Sequence, residues 1–222
     1  MLEALGEGLW TAWFPLKLLG TVFGTRMTVA RLPDGSLWVH SPIRCDDALR
    51  AEIDALGPVK HLVAPNMFHH LFLPKAKSHW PDAKVWLAPG LDQKRADITF
   101  DALLPTEAPE DWQGAIDVAR LEGMPKVNET VFLHRPSRTL VVTDVVFNFV
   151  EPVSFGLGLL LMMTGAKGKL TTSRLYRGSI KDRAAYDRSM QKVLGWDFDN
   201  ISVCHGALVR GDGRRRFEAA IG

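Results

Sequence analysis

The stretch Ala64-Pro65-Asn66-Met67-Phe68-His69-His70 follows the run His61-Leu62-Val63 and reads as the exit of a buried strand that delivers two adjacent imidazoles to a shared site. Upstream, Met27-Thr28-Val29-Ala30-Arg31-Leu32 and Leu37-Trp38-Val39-His40 are split by an Asp34-Gly35 turn, which predicts a β-hairpin. A helix is expected from Asp46 to the Gly57-Pro58 stop, with acidic residues in its first turn and Leu49, Ile53 and Leu56 on one face. Downstream, a short helix from Leu71 to His79 and a strand from Lys84 to Ala88 follow, and residues 91 to 114 read mostly as loop, with a weak strand signal at Ile98-Thr99-Phe100. Three β-branched and aromatic runs, 115–121, 129–134 and 139–143, predict a second sheet. A helix over 182–194, a strand over 201–204 and a short basic helix complete the chain.

Composition limits the class of protein. The chain has 222 residues, of which 46% are hydrophobic and 23% charged, enough for a sizeable core, and one globular domain over residues 1–222 is expected. A formal net charge of +2 gives no footprint for a nucleic-acid partner, and Arg210, Arg214, Arg215 and Arg216 read as a solvated face. Cys45 and Cys204 form neither a metal-type pair nor a disulfide framework, so a reducing, cytoplasmic setting is expected. No basic region followed by an apolar core and cleavage site opens the chain. Two apolar runs, Leu9 to Leu19 and Phe155 to Met163, fall short of the roughly 20 residues that span a bilayer. Core burial is expected for both, with residues 1–25 as an apolar strap. The alternative makes them one surface for dimerisation or peripheral membrane contact.

The polar residues at the strand ends carry the chemistry. His69 and His70 follow one strand, Asp144 a second and His205 a third, and strand ends along one edge of a layered fold converge. Three imidazoles and a carboxylate would hold zinc or iron and leave a position for water. Each residue also has a plainer role. Adjacent histidines on a regular strand face opposite ways, an aspartate after a strand caps turns, and His205 before Gly206 is equally a loop residue. His61, His79 and His134 read as surface or hydrogen-bonded structural groups. His40, Asn66, Glu129 and Asn148 are the candidates for supporting the ligands from behind, with Asn128 as another, and Lys75 or Arg174 for holding an anionic substrate group.

Four phrases carry a family resemblance: Asp34 to Pro42, Ala64 to His70, Ser137 to Asp144, and Trp196-Asp197-Phe198-Asp199 leading to His205-Gly206. Together they resemble the metallo-β-lactamase superfamily, and more closely its DUF4336 branch. The resemblance implies a four-layer αββα sandwich of the α/β (α+β) class with a metal site on one edge of the paired sheets. The superfamily's His-x-His-x-Asp-His run, laid on this chain, meets Pro65 and Met67 at its first two histidines. Neither side chain replaces imidazole at such a metal. The next histidine of the pattern is missing near Gly123-Met124-Pro125. What remains corresponds to one metal position, with His69, His70, Asp144 and His205 as ligands.

These departures argue against a two-metal clamp and leave one zinc or iron ion, or none, as the expected cofactor. The function that follows is a mononuclear metal-dependent hydrolase of a small ester, lactone, thioester or phosphoester, with Asp144 as both ligand and proton acceptor. The alternative is a degenerate member that binds a small-molecule ligand or a partner without turnover. The partner expected is a small molecule, with no nucleic acid and no transmembrane segment, for a monomer or homodimer.

Overall fold

The computed structural model describes residues 1–18 and 20–222. In the first half, β1 (Glu3–Gly6), β2 (Leu9–Phe14) and a small hairpin of β3 (Lys17–Leu18) and β4 (Thr21–Val22) lead into β5 (Thr25–Arg31) and β6 (Leu37–His40). Then come α1 (Asp47–Asp54), β7 (Val59–Ala64), α2 (Leu73–His79), β8 (Lys84–Leu87), α3 (Leu91–Lys94) and β9 (Ala102–Leu103). The second half runs β10 (Ile116–Arg120), β11 (Thr130–His134), β12 (Thr139–Val142), β13 (Phe147–Asn148), α4 (Phe155–Thr164), β14 (Leu170–Thr171), α5 (Arg174–Ser179), α6 (Arg183–Leu194), β15 (Asn200–Val203) and α7 (Gly213–Ile221). Seven strands form one sheet in the order β1-β2-β5-β6-β7-β8-β9, and four form a second in the order β10-β11-β12-β15.

Strand alternation explains how the layers stack. Along β6 and β7, Leu37, Val39, Leu62 and Ala64 point to one side and pack with Leu49 and Ile53 of α1 and Leu73 and Ala76 of α2. Trp38 and Val63 point the other way and meet Phe132 and Val141 of the second sheet, with Trp86 and Trp112 beside them. The outer face of the second sheet packs Leu133, Leu140 and Ile201 against Tyr186, Met190 and Val193 of α6 and Phe217 of α7. Helix, sheet, sheet and helix therefore lie in order, an αββα sandwich. Asp46 caps α1, accepting from Leu49 N at 2.8 Å, and Asp182 caps α6, accepting from Ala185 N at 2.9 Å. Both helices start where the sequence places them.

Two expectations need correction. The segment expected as a strap lies largely in the first sheet, where β2 pairs antiparallel with β5 from Leu9↔Ala30 to Phe14↔Thr25. Its strand character is masked because no polar residue alternates along it: apolar side chains occupy both faces, including the half-buried Trp10, stacked under Arg31 at 5.1 Å, on one and the exposed Trp13 on the other. Leu19, the end of that segment, lies outside the described residues. Residues 155–163, expected in the core, form α4, which buries Leu157 and Leu161 and leaves Phe155 90% exposed. Within 91–114 the sole strand is β9, with none at Ile98-Thr99-Phe100, although Ile98 is buried.

Candidate metal centre

The site lies where strands of both sheets end. β12 and β15 pair in parallel with Val142 opposite Val203, so Asp144 and His205 stand at matching positions, each two residues beyond the pair. From the first sheet, β7 runs out into the Asn66–His70 corner. This juxtaposition puts His69 Nε2 3.2 Å from His205 Nε2, with Asp144 Oδ2 3.4 Å from the former and Oδ1 3.4 Å from the latter. The three side chains are largely buried, at 8%, 5% and 17% exposure for His69, His205 and Asp144.

Neighbouring atoms settle which way the rings face. His205 Nδ1 lies 2.8 Å from the Gly24 carbonyl, which accepts only, so Nδ1 carries a proton and donates it there, and Nε2 faces His69. Phe23 and Phe147 flank this ring, with centroids 4.7 and 5.5 Å away. His69 Nδ1 lies 2.8 Å from Ser41 Oγ and 3.5 Å from Cys204 Sγ, leaving its Nε2 for the Asp144 side. Ser41 reaches it from a left-handed backbone conformation, φ 50°, that non-glycine residues seldom adopt.

Asn66 and Glu129 fix the carboxylate. Asn66 Nδ2 donates to Asp144 Oδ2 at 2.6 Å and to Thr143 Oγ1 at 3.0 Å, while its Oδ1 accepts from the backbone N–H groups of Phe68 and His69. The buried Glu129 carboxylate accepts from Thr143 N, Thr143 Oγ1 and Asp144 N. Asn148 holds the His205 loop: its N–H donates to the His205 carbonyl and its Nδ2 to the Ala207 carbonyl. Gly206 between them has φ 98°, and a Cβ there would stand 2.3 Å from the Asn148 carbonyl oxygen.

The charged groups of the cluster act on one another. Burial opposes ionisation of Asp144, but His69 and His205 outweigh it and hold the carboxyl well below the usual range. Burial likewise pushes the His69 imidazole down, yet Cys204 and Asp144 beside it keep it well above the ordinary histidine range. Burial, then Asp144, pushes the Glu129 carboxyl up.

The remaining expected residues lie elsewhere. His70 Nδ1 lies 2.8 Å from Arg95 Nη1; guanidinium donates only, so Nδ1 accepts. Burial, with Lys94 and Arg95 nearby, brings that ring down to about 4. The corner thus turns its two imidazoles in different directions. His40 is fully buried, stacked on Trp38 at 5.4 Å, and neither ring nitrogen has a hydrogen-bond partner among the described residues. It points between the sheets because strand alternation groups it with Trp38 and sends Val39 the other way. Asn128 Nδ2 donates to the Pro89 carbonyl, and Arg174 Nη1 to the Met163 carbonyl.

Cys204, Ser41 and Arg26 are additions from the structure. The Cys204 Sγ lies 3.1 Å from the Arg26 carbonyl, to which S–H donates in the thiol form, and burial raises the thiol while His69 and His205 together bring it down to about 6. Arg26 donates from Nε to the Val203 carbonyl and from Nη2 to the Gly206 carbonyl, clamping the chain on both sides of Cys204-His205. The sequence signal for Cys204 was its position next to His205 at a strand exit. Ser41 and Arg26 had none, since their roles depend on contacts to residues 28 and 177 or more positions away.

The donor set fits a transition metal. Ligands about 2.0–2.1 Å from a tetrahedral ion stand roughly 3.3–3.4 Å from one another, close to the 3.2 and 3.4 Å separations here. The lone pairs of the two Nε2 atoms and the carboxylate repel unless a proton or a cation lies among them; a proton on His69 Nε2 meets that need here, and a metal ion would take its place. One donor atom each from His69, Cys204 and His205 also lies within 4.8 Å of the others. Cys204, however, approaches the Nδ1 side of His69, whereas Asp144 approaches the Nε2 side that faces His205. The Asp144 carboxylate therefore faces both Nε2 atoms, one oxygen to each, and Cys204 lies behind the His69 ring. A cavity of about 970 Å³ lies beyond Phe23, Asn148 and Gly206, and none of the three donors lines it.

A family model described as a domain of unknown function, DUF4336, matches residues 7–155. Among solved structures, a metallo-β-lactamase from Pontibacter korlensis superposes with a TM-score of 0.69 at 12% identity, covering 100% of this chain and 96% of that one. A metallo-β-lactamase from Erythrobacter litoralis gives 0.64 at 14%, covering 99% and 89%. A metal-soaked flavodiiron core from Synechocystis gives 0.61 at 10%, covering 99% of this chain and 59% of that chain. No curated protein matches the chain. The sandwich is thus the metallo-β-lactamase fold, as the sequence resemblance implied.

Proposed function

Because the chain belongs to the DUF4336 family and folds as the metallo-β-lactamases do, we propose that it is a mononuclear metal-dependent hydrolase of a small ester, lactone, thioester or phosphoester. The observation that carries this reading is the grouping of His69 Nε2 and His205 Nε2, 3.2 Å apart, with the Asp144 carboxylate spanning both, Oδ2 3.4 Å from the first and Oδ1 3.4 Å from the second. In this reading these three residues hold zinc or iron, and His70, engaged with Arg95, is not a ligand. Zinc or iron bound there supplies Lewis acidity to an oxygen of water or substrate.

The chain's own groups supply the remainder. Gly24 fixes the tautomer of His205 through its carbonyl, and Ser41 orients His69. Asp144, the most open of the three, accepts a proton from the attacking water. Asn66 keeps one of its oxygens in place, while Glu129 fixes the backbone beneath it. Met67 and Met124, in the regions where the superfamily pattern has further histidines, offer no imidazole, and Met124 is buried, which supports one metal over two.

The test is metal analysis of protein purified without added metal, followed by turnover on a panel of those four substrate classes. Less than about a tenth of an equivalent bound, unchanged in His205→Ala, would reject the metal reading. Bound metal with no turnover on the panel would select the second reading, ligand or partner binding without catalysis. The burial of all three donors supports that alternative.

A further inference from the structure

Helix α4 has ten residues and no charge. One side, Leu157 and Leu161, packs on Phe147 and Phe149. The other leaves Phe155, Leu159, Met162 and Met163 exposed at 90%, 50%, 59% and 67%, and Leu175 at the start of α5 is 73% exposed. Scattered exposed apolar side chains need no explanation, but four on one helix face form a patch that calls for a cover.

The charges around the patch indicate what covers it. Residues 152–181 contain Lys167, Lys169, Arg174, Arg177 and Lys181 and no Asp or Glu; Glu151, just before them, lines the groove beside Phe155, Leu159, Met162 and Lys167, so the rim is predominantly but not wholly cationic. None of these five cations is in an ion pair among the described residues. Two of them touch the end of the helix: Lys167 Nζ lies 3.9 Å from Met162 Sδ, and Arg174 donates to the Met163 carbonyl at 3.3 Å. A two-fold dimer through this face would set the cations of one copy against those of the next, an arrangement that like charges disfavour. An anionic surface meets both demands, burying the apolar side chains and neutralising the lysines and arginines.

We propose that α4 and its cationic rim dock the protein peripherally on an anionic lipid surface. Phe155, Leu159, Met162 and Met163 enter the boundary between headgroups and acyl chains, and Lys167, Lys169 and Arg174 meet the lipid phosphates. The helix does not cross the bilayer; no helix among the described residues is long and apolar enough to do so. This docking is independent of whether the centre at Asp144 holds a metal.

Flotation of the full chain tests it, using vesicles of phosphatidylcholine alone and of phosphatidylcholine with about one quarter phosphatidylserine. At about 0.1 M salt the anionic vesicles should carry at least about tenfold more protein. Raising salt to about 1 M, where the Debye length shrinks to about 3 Å, should lower that severalfold. The double variant Phe155→Ser, Met163→Ser should melt like the parent and float about tenfold less. Lys167→Glu, Lys169→Glu should abolish the preference for phosphatidylserine. No flotation of the parent on anionic vesicles, or equal flotation of parent and serine variant, overturns the proposal. So does a sedimentation dimer that the serine variant dissolves while the parent ignores lipid, which assigns the face to a second copy.

Discussion

Asn66 donates its side-chain amide to Asp144 across 2.6 Å, joining the corner after β7 in the first sheet to the end of β12 in the second. The same residue's carbonyl takes the N–H groups of Phe68 and His69, so one side chain sets both the carboxylate and the imidazole. Asn66→Ala strands these buried groups, and a loss of about 2–3 kcal/mol is expected from unpaired donors and acceptors. Urea unfolding of the variant measures it, and a loss under about 0.5 kcal/mol would deny Asn66 this role.

Metal content should separate the histidines of the corner. In the proposed centre, His69→Ala, Asp144→Ala and His205→Ala each lower bound metal at least about tenfold after dialysis. His70→Ala retains it, because that ring is engaged with Arg95. Loss on replacing His70 alone would redraw the ligand set.

Acid should weaken the fold through histidines remote from the centre. His61, which accepts from Trp86 Nε1, and His134, paired with Ser137, are each brought down to about 4 mainly by burial. Asp111, Asp34, Lys84 and Lys60 act on His61 more weakly and in opposing senses. Between an unfolded value of 6.5 and a folded value of about 4, the unfolded chain binds protons that the folded chain does not. Stability is therefore complete above about pH 6.5 and falls as pH drops through that window, by up to about 1.4 kcal/mol per pH unit per histidine. Urea midpoints from pH 7.5 to 4.5 should show this, with a shallower slope in His61→Gln. An identical slope in that variant would contradict it.

Gly206→Ala should loosen the His205 loop. The new Cβ would meet the Asn148 carbonyl at 2.3 Å from a φ of 98°, and a cost of about 2 kcal/mol or more is expected. Thermal melting reports the loss, and metal content should fall with it because His205 shifts. A variant as stable as the parent would show that the loop can back away from Asn148.

Where apolar periodicity and turn residues agree, the chain was readable. Asp34-Gly35 marked the hairpin, Asp46 and Asp182 marked helix starts, and the three runs of the second sheet form strands within a residue or two of the expected ends. His69, Asp144 and His205 were legible as residues just past strands; that they converge depends on the parallel register of β12 with β15, which one sequence does not encode locally. The opposite orientations of His69 and His70 were foreseeable only as alternatives, since Arg95, 25 residues away, decides them. β2 is hard to read because apolar side chains occupy both of its faces, Trp10 on one and Trp13 on the other, and no alternation with polar residues marks it. The exposed side of α4 is not legible in the sequence, because an all-apolar run does not distinguish a covered side from an open one.

The origin of the cluster's members makes it a clasp. His69, Ser41 and Asn66 come from the first half of the chain, and Asp144, Cys204 and His205 from the second. Neither half holds a complete set, so whatever occupies the space between the two imidazoles binds only the closed pair of sheets and stabilises that state by mass action. Two separately expressed halves, divided in the long segment between β9 and β10, would then reassemble more tightly in the presence of the occupant, and the gain would measure its affinity without any substrate.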